Sequence, residues 1–139
     1  MTWWMFAVLS AVAAAATAIL AKIGIANVPS NLATAIRTVV ILVFAWGIVI
    51  ARGEYRSLPL ISNRSWMFLA LSGIATGLSW LAYFRALQMA PASKVAPIDK
   101  LSLAITIALA VFVLGEAVSW KTALGAALIV IGALLTLAG

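Results

Sequence analysis

The chain contains no cysteine and no histidine, and its only acids are Glu54, Asp99 and Glu116. Without cysteine there is no disulfide and no thiol chemistry. Without histidine the commonest metal ligand and proton shuttle is missing. Three carboxylates so far apart in sequence leave no metal cage and no paired-acid hydrolase, and the remaining residues assemble no nucleophile–base pair. The chain is therefore read as no enzyme, with no metal and no cofactor. Charge of either sign is also scarce, at 9% of residues against about 25% in a soluble domain. The formal net charge is +6, but Lys and Arg stand singly and mostly beside or inside apolar segments. That pattern gives no nucleic-acid footprint. No polar block is long enough to fold as a separate soluble domain, and no internal repeat or low-complexity tract is present.

What is abundant is apolar: 66% of the 139 residues are hydrophobic, with a mean hydropathy of +1.22. The fold class that follows is all-α integral membrane, a single multi-pass domain over residues 1–139 whose first partner is membrane lipid. Five segments, about 3–25, 31–51, 66–87, 92–114 and 120–138, are each long enough at about 1.5 Å per residue to cross a ~30 Å hydrocarbon core. The first opens on Trp3-Trp4 and lacks a basic leading stretch, so it is expected to be a retained helix rather than a cleaved signal. Ser10, Ala14, Ala18 and Lys22 recur at four-residue spacing, which directs Lys22 toward protein or, by snorkelling, to the interface. Gly73 and Gly77 form a small-xxx-small spacing that continues through Leu81 to Arg85, placing that arginine on an expected packing face. Ser119 is positioned to cap the last helix, whose Gly125, Gly132 and Thr136 read as a packing or dimer face.

The organising stretch is Val95-Ala96-Pro97-Ile98-Asp99-Lys100-Leu101-Ser102, an acid and a base entering an apolar run. A charge near the bilayer centre costs about 2.5–3.5 kcal/mol on insertion scales, so it is read as facing protein or water. Asp99, Ser102 and Thr106 recur at i, i+3 and i+7 as one polar stripe, with Lys100 turned about 100° toward another neighbour. A plainer role for Asp99 is neutralising Arg85 or a lysine, and Glu116 near Lys121 reads as a solvated loop acid. With the N-terminal side as reference, Trp3, Trp4, Trp46, Trp66 and Trp120 gather toward one membrane face as an aromatic belt. Lys22, Arg37, Arg85, Lys94, Asp99 and Lys100 lie in the opposite half. So many charges at depth argue for helices lining a hydrated or substrate-filled cavity. Trp80 and Tyr83, one turn apart, are candidates for an aromatic wall, although core packing also accounts for Trp80. Orientation is balanced. Loop residues Arg52, Arg56, Arg64 and Lys121 oppose Lys94, and Lys22, Arg37, Arg85 and Lys100 at helix ends bring the tally to four against five. A near-even balance permits insertion both ways.

Tyr83-Phe84-Arg85-Ala86-Leu87, Ala90-Pro91-Ala92-Ser93-Lys94 running on to Ser102, and Leu114-Gly115-Glu116 followed by Gly125-Ala126-Ala127-Leu128-Ile129-Val130-Ile131-Gly132 together resemble the drug/metabolite transporter superfamily, EamA-domain type. The similarity covers the whole chain and is most specific over the last three helices. It implies a single-copy, five-helix member of the bacterial/archaeal transporter group, half of a ten-helix inverted-repeat transporter fold. It also implies a small-molecule substrate. Small multidrug members use an acid in their first helix for proton coupling; this chain has no acid before Glu54, so that mechanism does not carry over. An odd helix count puts the two ends of a half on opposite faces, and an inverted pair then completes the fold.

The expectation is a secondary transporter of a small metabolite or drug, acting by alternating access across the inner membrane as a homodimer, in an antiparallel arrangement. Asp99, Arg37, Arg85, Lys100, Ser102, Thr106, Trp80 and Tyr83 are the candidates for substrate binding or coupling: the bases for an anionic group, Asp99 for a cation or a proton. The alternatives are an accessory or scaffold subunit and a lipid-carrier flippase subunit, each working with a different membrane partner.

Overall fold

The computed structural model describes residues 2–138, which are almost entirely helical. The helices are α1 (Trp3–Gly24), α2 (Ser30–Ala51), α3 (Asn63–Met89), α4 (Ala92–Asp99), α5 (Leu101–Leu114) and α6 (Trp120–Ala138), with a 3₁₀ segment at Glu54–Leu60 between α2 and α3. Five stretches are long and apolar enough to cross a membrane: Trp3–Gly24, Ser30–Ala51, Asn63–Met89, Ala92–Leu114 and Trp120–Leu137. Trp3, Trp4, Trp46, Trp66 and Trp120 are all exposed, as residues of an interfacial belt are.

Helix ends follow local chemistry. Ser62 accepts the Ser65 backbone N–H on its hydroxyl at 3.1 Å, and so α3 begins at Asn63, a turn earlier than the apolar run suggests. Ser119 accepts the Thr122 N–H at 3.2 Å, the cap that its position foretells. Gly53 and Gly115 adopt φ of 69°, a left-handed conformation that glycine alone enters without steric cost. At Gly115 the chain leaves α5 with its own N–H and that of Glu116 turned back onto Ala110 O. Gly115→Ala is therefore expected to destabilise the protein by about 1–2 kcal/mol, seen as a lowered midpoint of thermal unfolding in detergent. Gly47→Ala is the control. It is helical, nothing lies within 4 Å of an added Cβ, and the substitution should be neutral or gain up to about 1 kcal/mol.

The run from Ala92 to Leu114 is not one unbroken helix. Pro97 supplies no N–H to the ladder, and the i→i−4 pattern tightens at Lys100. Its N–H is shared between Ala96 O at 3.3 Å and Pro97 O at 3.1 Å, and the Leu103 N–H closes on Lys100 O at 3.0 Å. The expected single fourth helix is thus two, α4 and α5, joined at Lys100.

Backbone contacts group the chain into two compact units, Ala21–Gln88 and the pair of segments Met1–Leu20 and Met89–Gly139. In the second unit α6 packs against both α4 and α5. The half-sheltered positions of α5 are Leu101, Ala104, Ile107 and Ala110, small or branched residues at helical spacing. In the first unit α2 and α3 meet through side chains rather than through backbone. The buried positions there are Ile25, Ser30, Thr34, Phe84 and Leu87.

The α3 glycine stripe is a correction: nothing lies within 4 Å of a Cβ added at Gly73 or Gly77, so among the described residues it makes no close packing. Gly125 and Gly132 on α6 are equally open, which is compatible with the dimer face expected of them. On α3 the sheltered line runs through Gly77, Trp80, Phe84 and Leu87, and the exposed Leu81 and Arg85 each stand about 100° further around the helix from Trp80 and Phe84.

Candidate functional site

In the unit Ala21–Gln88 the central group is Arg37, about 10 Å along α2 from Ser30 at 1.5 Å per residue. Its guanidinium carbon stands 4.4 Å from the Trp80 ring centroid and 5.3 Å from that of Phe84. Trp80 and Phe84 are i and i+4 on α3 and so share a face. Tyr83 meets Phe84 edge-on with centroids 6.4 Å apart. Along α2, the Thr34 hydroxyl donates to Ser30 O at 2.9 Å and the Thr38 hydroxyl to Thr34 O at 2.8 Å. Both threonines satisfy their own donors on the helix backbone and leave the guanidinium to the rings. Cation–π contacts contribute about 0.5–2 kcal/mol, which falls short of the about 2.5–3.5 kcal/mol insertion cost of an arginine at depth. The rings orient the charge without neutralising it.

The end of this unit is laced by long side chains. Lys22 Nζ donates to Leu87 O, a last-turn carbonyl of α3 that its own helix leaves unpaired. Gln88 Nε2 donates to Val28 O at 2.7 Å, and Arg85 Nη1 donates to Gln88 Oε1 at 3.4 Å. Lys22 therefore turns toward protein, the first of the two options its stripe offered. Pro29, Ser30, Asn31, Arg85 and Gln88 line an open cleft of about 440 Å³, within the range of small-molecule sites.

In the second unit Lys100 Nζ lies 3.3 Å from Asp99 Oδ2. Adjacent residues on an unbroken helix point about 100° apart; here the helix ends between them and the lysine folds back. The expectation that Lys100 serves a different neighbour is thus corrected: in this chain it pairs with Asp99. Ser102 and Thr106 are exposed, and the sheltered face of α5 runs one position away, through Leu101, Ala104 and Ile107. Within this unit the polar stripe faces outward, because the small apolar residues are what α6 packs against.

Sequence reasoning chose Trp80 and Tyr83 as a wall and passed over Phe84, although Trp80 and Phe84 stand at the i, i+4 spacing that presents two rings to one side chain. It also missed Gln88 as a structural tie, for which the sequence carries no signal beyond its place at a helix end.

A model of the EamA-like transporter family matches residues 1–138. The chain belongs to the EamA-like transporter family. A protein from Sinorhizobium sp, named an uncharacterized transporter in the cobO 3' region, is 51% identical to it over 134 residues, 96% of this chain and 95% of that protein. No solved structure matches. This EamA-like chain is accordingly an all-α, multi-pass membrane transporter. Its polar residues at membrane depth are the ones described above.

Proposed function

We propose that the protein is a secondary transporter that carries a small molecule across the inner membrane by alternating access, and that two copies in opposite orientation make the working unit. The observation that carries the mechanism is the tightened turn at Lys100, which divides α4 from α5 within the Ala92–Leu114 span, beside the Asp99–Lys100 pair. A short 3₁₀-like tightening inside a helix is a recurrent mark of a functional hinge, and locally altered spanning helices form the substrate and ion sites of secondary transporters. Three further features favour two copies. The number of membrane spans among the described residues is odd. The glycines of α3 and α6 meet nothing within the chain. The basic residues balance across the two faces closely enough for insertion both ways.

The test is a reporter at the C-terminus, active on one membrane face only, combined with its complement active on the other. Signal from both faces is expected. Signal from a single face would remove the antiparallel homodimer and favour a parallel assembly or a different partner subunit. Transport itself is read in proteoliposomes holding the purified full chain.

A further inference from the structure

We propose that Arg37 is the receptor for an acidic group, a carboxylate or phosphate, on the molecule this protein carries, with Trp80 and Phe84 as the wall that aims it. The inference deepens the transporter reading and rests on it. The charge balance of the unit Ala21–Gln88 is one-sided. Its bases are Lys22, Arg37, Arg52, Arg56, Arg64 and Arg85, and its only acid is Glu54. Glu54 lies outside the helices and pairs with Arg52 at 3.6 Å. Among the described residues the other ion pair is Lys100 with Asp99, so Arg37 has no carboxylate partner. The hydroxyls nearest it along α2, Thr34 and Thr38, are neutral and donate to backbone carbonyls, so they bring it no counter-charge.

The two rings stand 4.4 Å and 5.3 Å from the guanidinium carbon and carry no oxygen to accept its N–H groups, which form a fork matched to the two oxygens of a carboxylate or phosphate. An aromatic wall also suits the apolar body of such a molecule. Arg85 follows Phe84 directly on α3 and lines the cleft at the Ser30 end of the same unit. It is placed to attract an acid at the entrance, with Arg37 about two turns further along α2. A guanidinium set against aromatic side chains within an apolar span, with no carboxylate beside it, is a charge open to a counter-ion.

The test is ligand protection of the purified full chain in detergent, read by thermal unfolding and by tryptophan emission. The probes are citrate, glutamate, inorganic phosphate and glucose 6-phosphate, with glucose, choline and putrescine as neutral and cationic counterparts. At least one acid is expected to raise the unfolding midpoint and change the emission. Arg37→Gln should weaken that binding by about tenfold or more, the usual scale for losing a charge-assisted hydrogen bond. Arg37→Lys, which keeps the charge but not the fork, should fall between the two. Arg64→Gln, whose guanidinium stacks on Phe68, should bind as the parent does. Should Arg37→Gln fail to fold, the intermediate binding of Arg37→Lys carries the test. Protection by none of the acids, equal protection in the Arg37 variants, or protection by the cationic probes alone overturns the proposal. A lipid headgroup offers the same phosphate, so the measurement is repeated with added phosphatidylglycerol. An Arg37-dependent shift from that lipid, with none from the soluble acids, also overturns it. Binding does not require transport. Acid binding without uptake in proteoliposomes would count against the transporter reading alone, and uptake of a neutral or cationic compound unaffected by Arg37→Gln would count against the acid receptor alone.

Discussion

Asp99→Asn is expected to reduce transport to background in proteoliposomes while leaving insertion and expression intact. The side chain lies at the end of α4, where the helix is interrupted, and its carboxylate is held by the adjacent lysine at 3.3 Å. Such a pair is neutral as a unit, so it enters the membrane at lower cost than either charge alone. It is also only partly sheltered, which makes it weak and exchangeable. A substrate cation or a proton can take the place of Lys100 on Asp99, and either event changes the charge at the tightened turn where α4 passes into α5. Asparagine keeps the shape and can still accept a hydrogen bond from Lys100, but it neither ionises nor binds a proton. The competing account is that the acid merely neutralises the lysine. A double-mutant cycle separates the two. If the pair is only structural, Asp99→Asn combined with Lys100→Gln restores activity by removing both charges. If Asp99 couples transport, the double variant stays at background and Lys100→Gln alone keeps part of the rate. Recovery in the double variant would sink the coupling role.

The contrast between these two residues shows where sequence reasoning reaches its limit. The fold class was legible because hydropathy over some twenty residues is a large, additive signal: no soluble solution exists for a chain this apolar, and backbone satisfaction in lipid then demands helices. The cap at Ser119 was legible because it depends on neighbours within one turn. The break at Lys100 was not, although Pro97 hinted at it, because membrane helices often absorb a proline without interruption. The stripe of Asp99, Ser102 and Thr106 assumed that the polar face meets a neighbour within the chain; the half-sheltered line runs beside it through Leu101, Ala104 and Ile107, and Ser102 and Thr106 stay exposed. The Arg37 contact with Trp80 and Phe84 joins residues some forty positions apart, and only the arrangement of α2 against α3 decides which aromatic is met. The i, i+4 rule narrows the partner to a pair of rings without saying that the guanidinium reaches them. The α3 glycine stripe failed as an internal packing face for a related reason. Small residues identify a face able to pack closely, and not the molecule that packs there.

Lys22→Met should lower stability by about 1.5–3 kcal/mol, the usual range for a hydrogen bond to a charged group. The substitution preserves length and apolar bulk, so lost packing contributes little. What it removes is the donor to Leu87 O. That carbonyl lies in the last turn of α3, where no later N–H of the helix can reach it, and its residue is fully buried. Water cannot readily replace the lysine there, and a carbonyl left alone in such surroundings costs free energy. The lysine also places a positive charge at the C-terminal ends of both α1 and α3, where helix dipoles favour it. Lys22→Arg should therefore retain part of the stability. Gln88→Leu removes the neighbouring tie to Val28 O and should cost less, because the donor is neutral. Since both ties hold the α1–α2 turn to the end of α3, their losses should not add: once one is cut, the other holds a looser joint. Unfolding in detergent, followed for the two single variants and the double, measures this directly. Simple additivity would mean that the two ties act on separate structures. The same joint sets the walls of the cleft lined by Pro29, Ser30 and Asn31 on one side and Arg85 and Gln88 on the other. A loosened joint should therefore weaken protection by an acidic probe even though Arg37 itself is untouched.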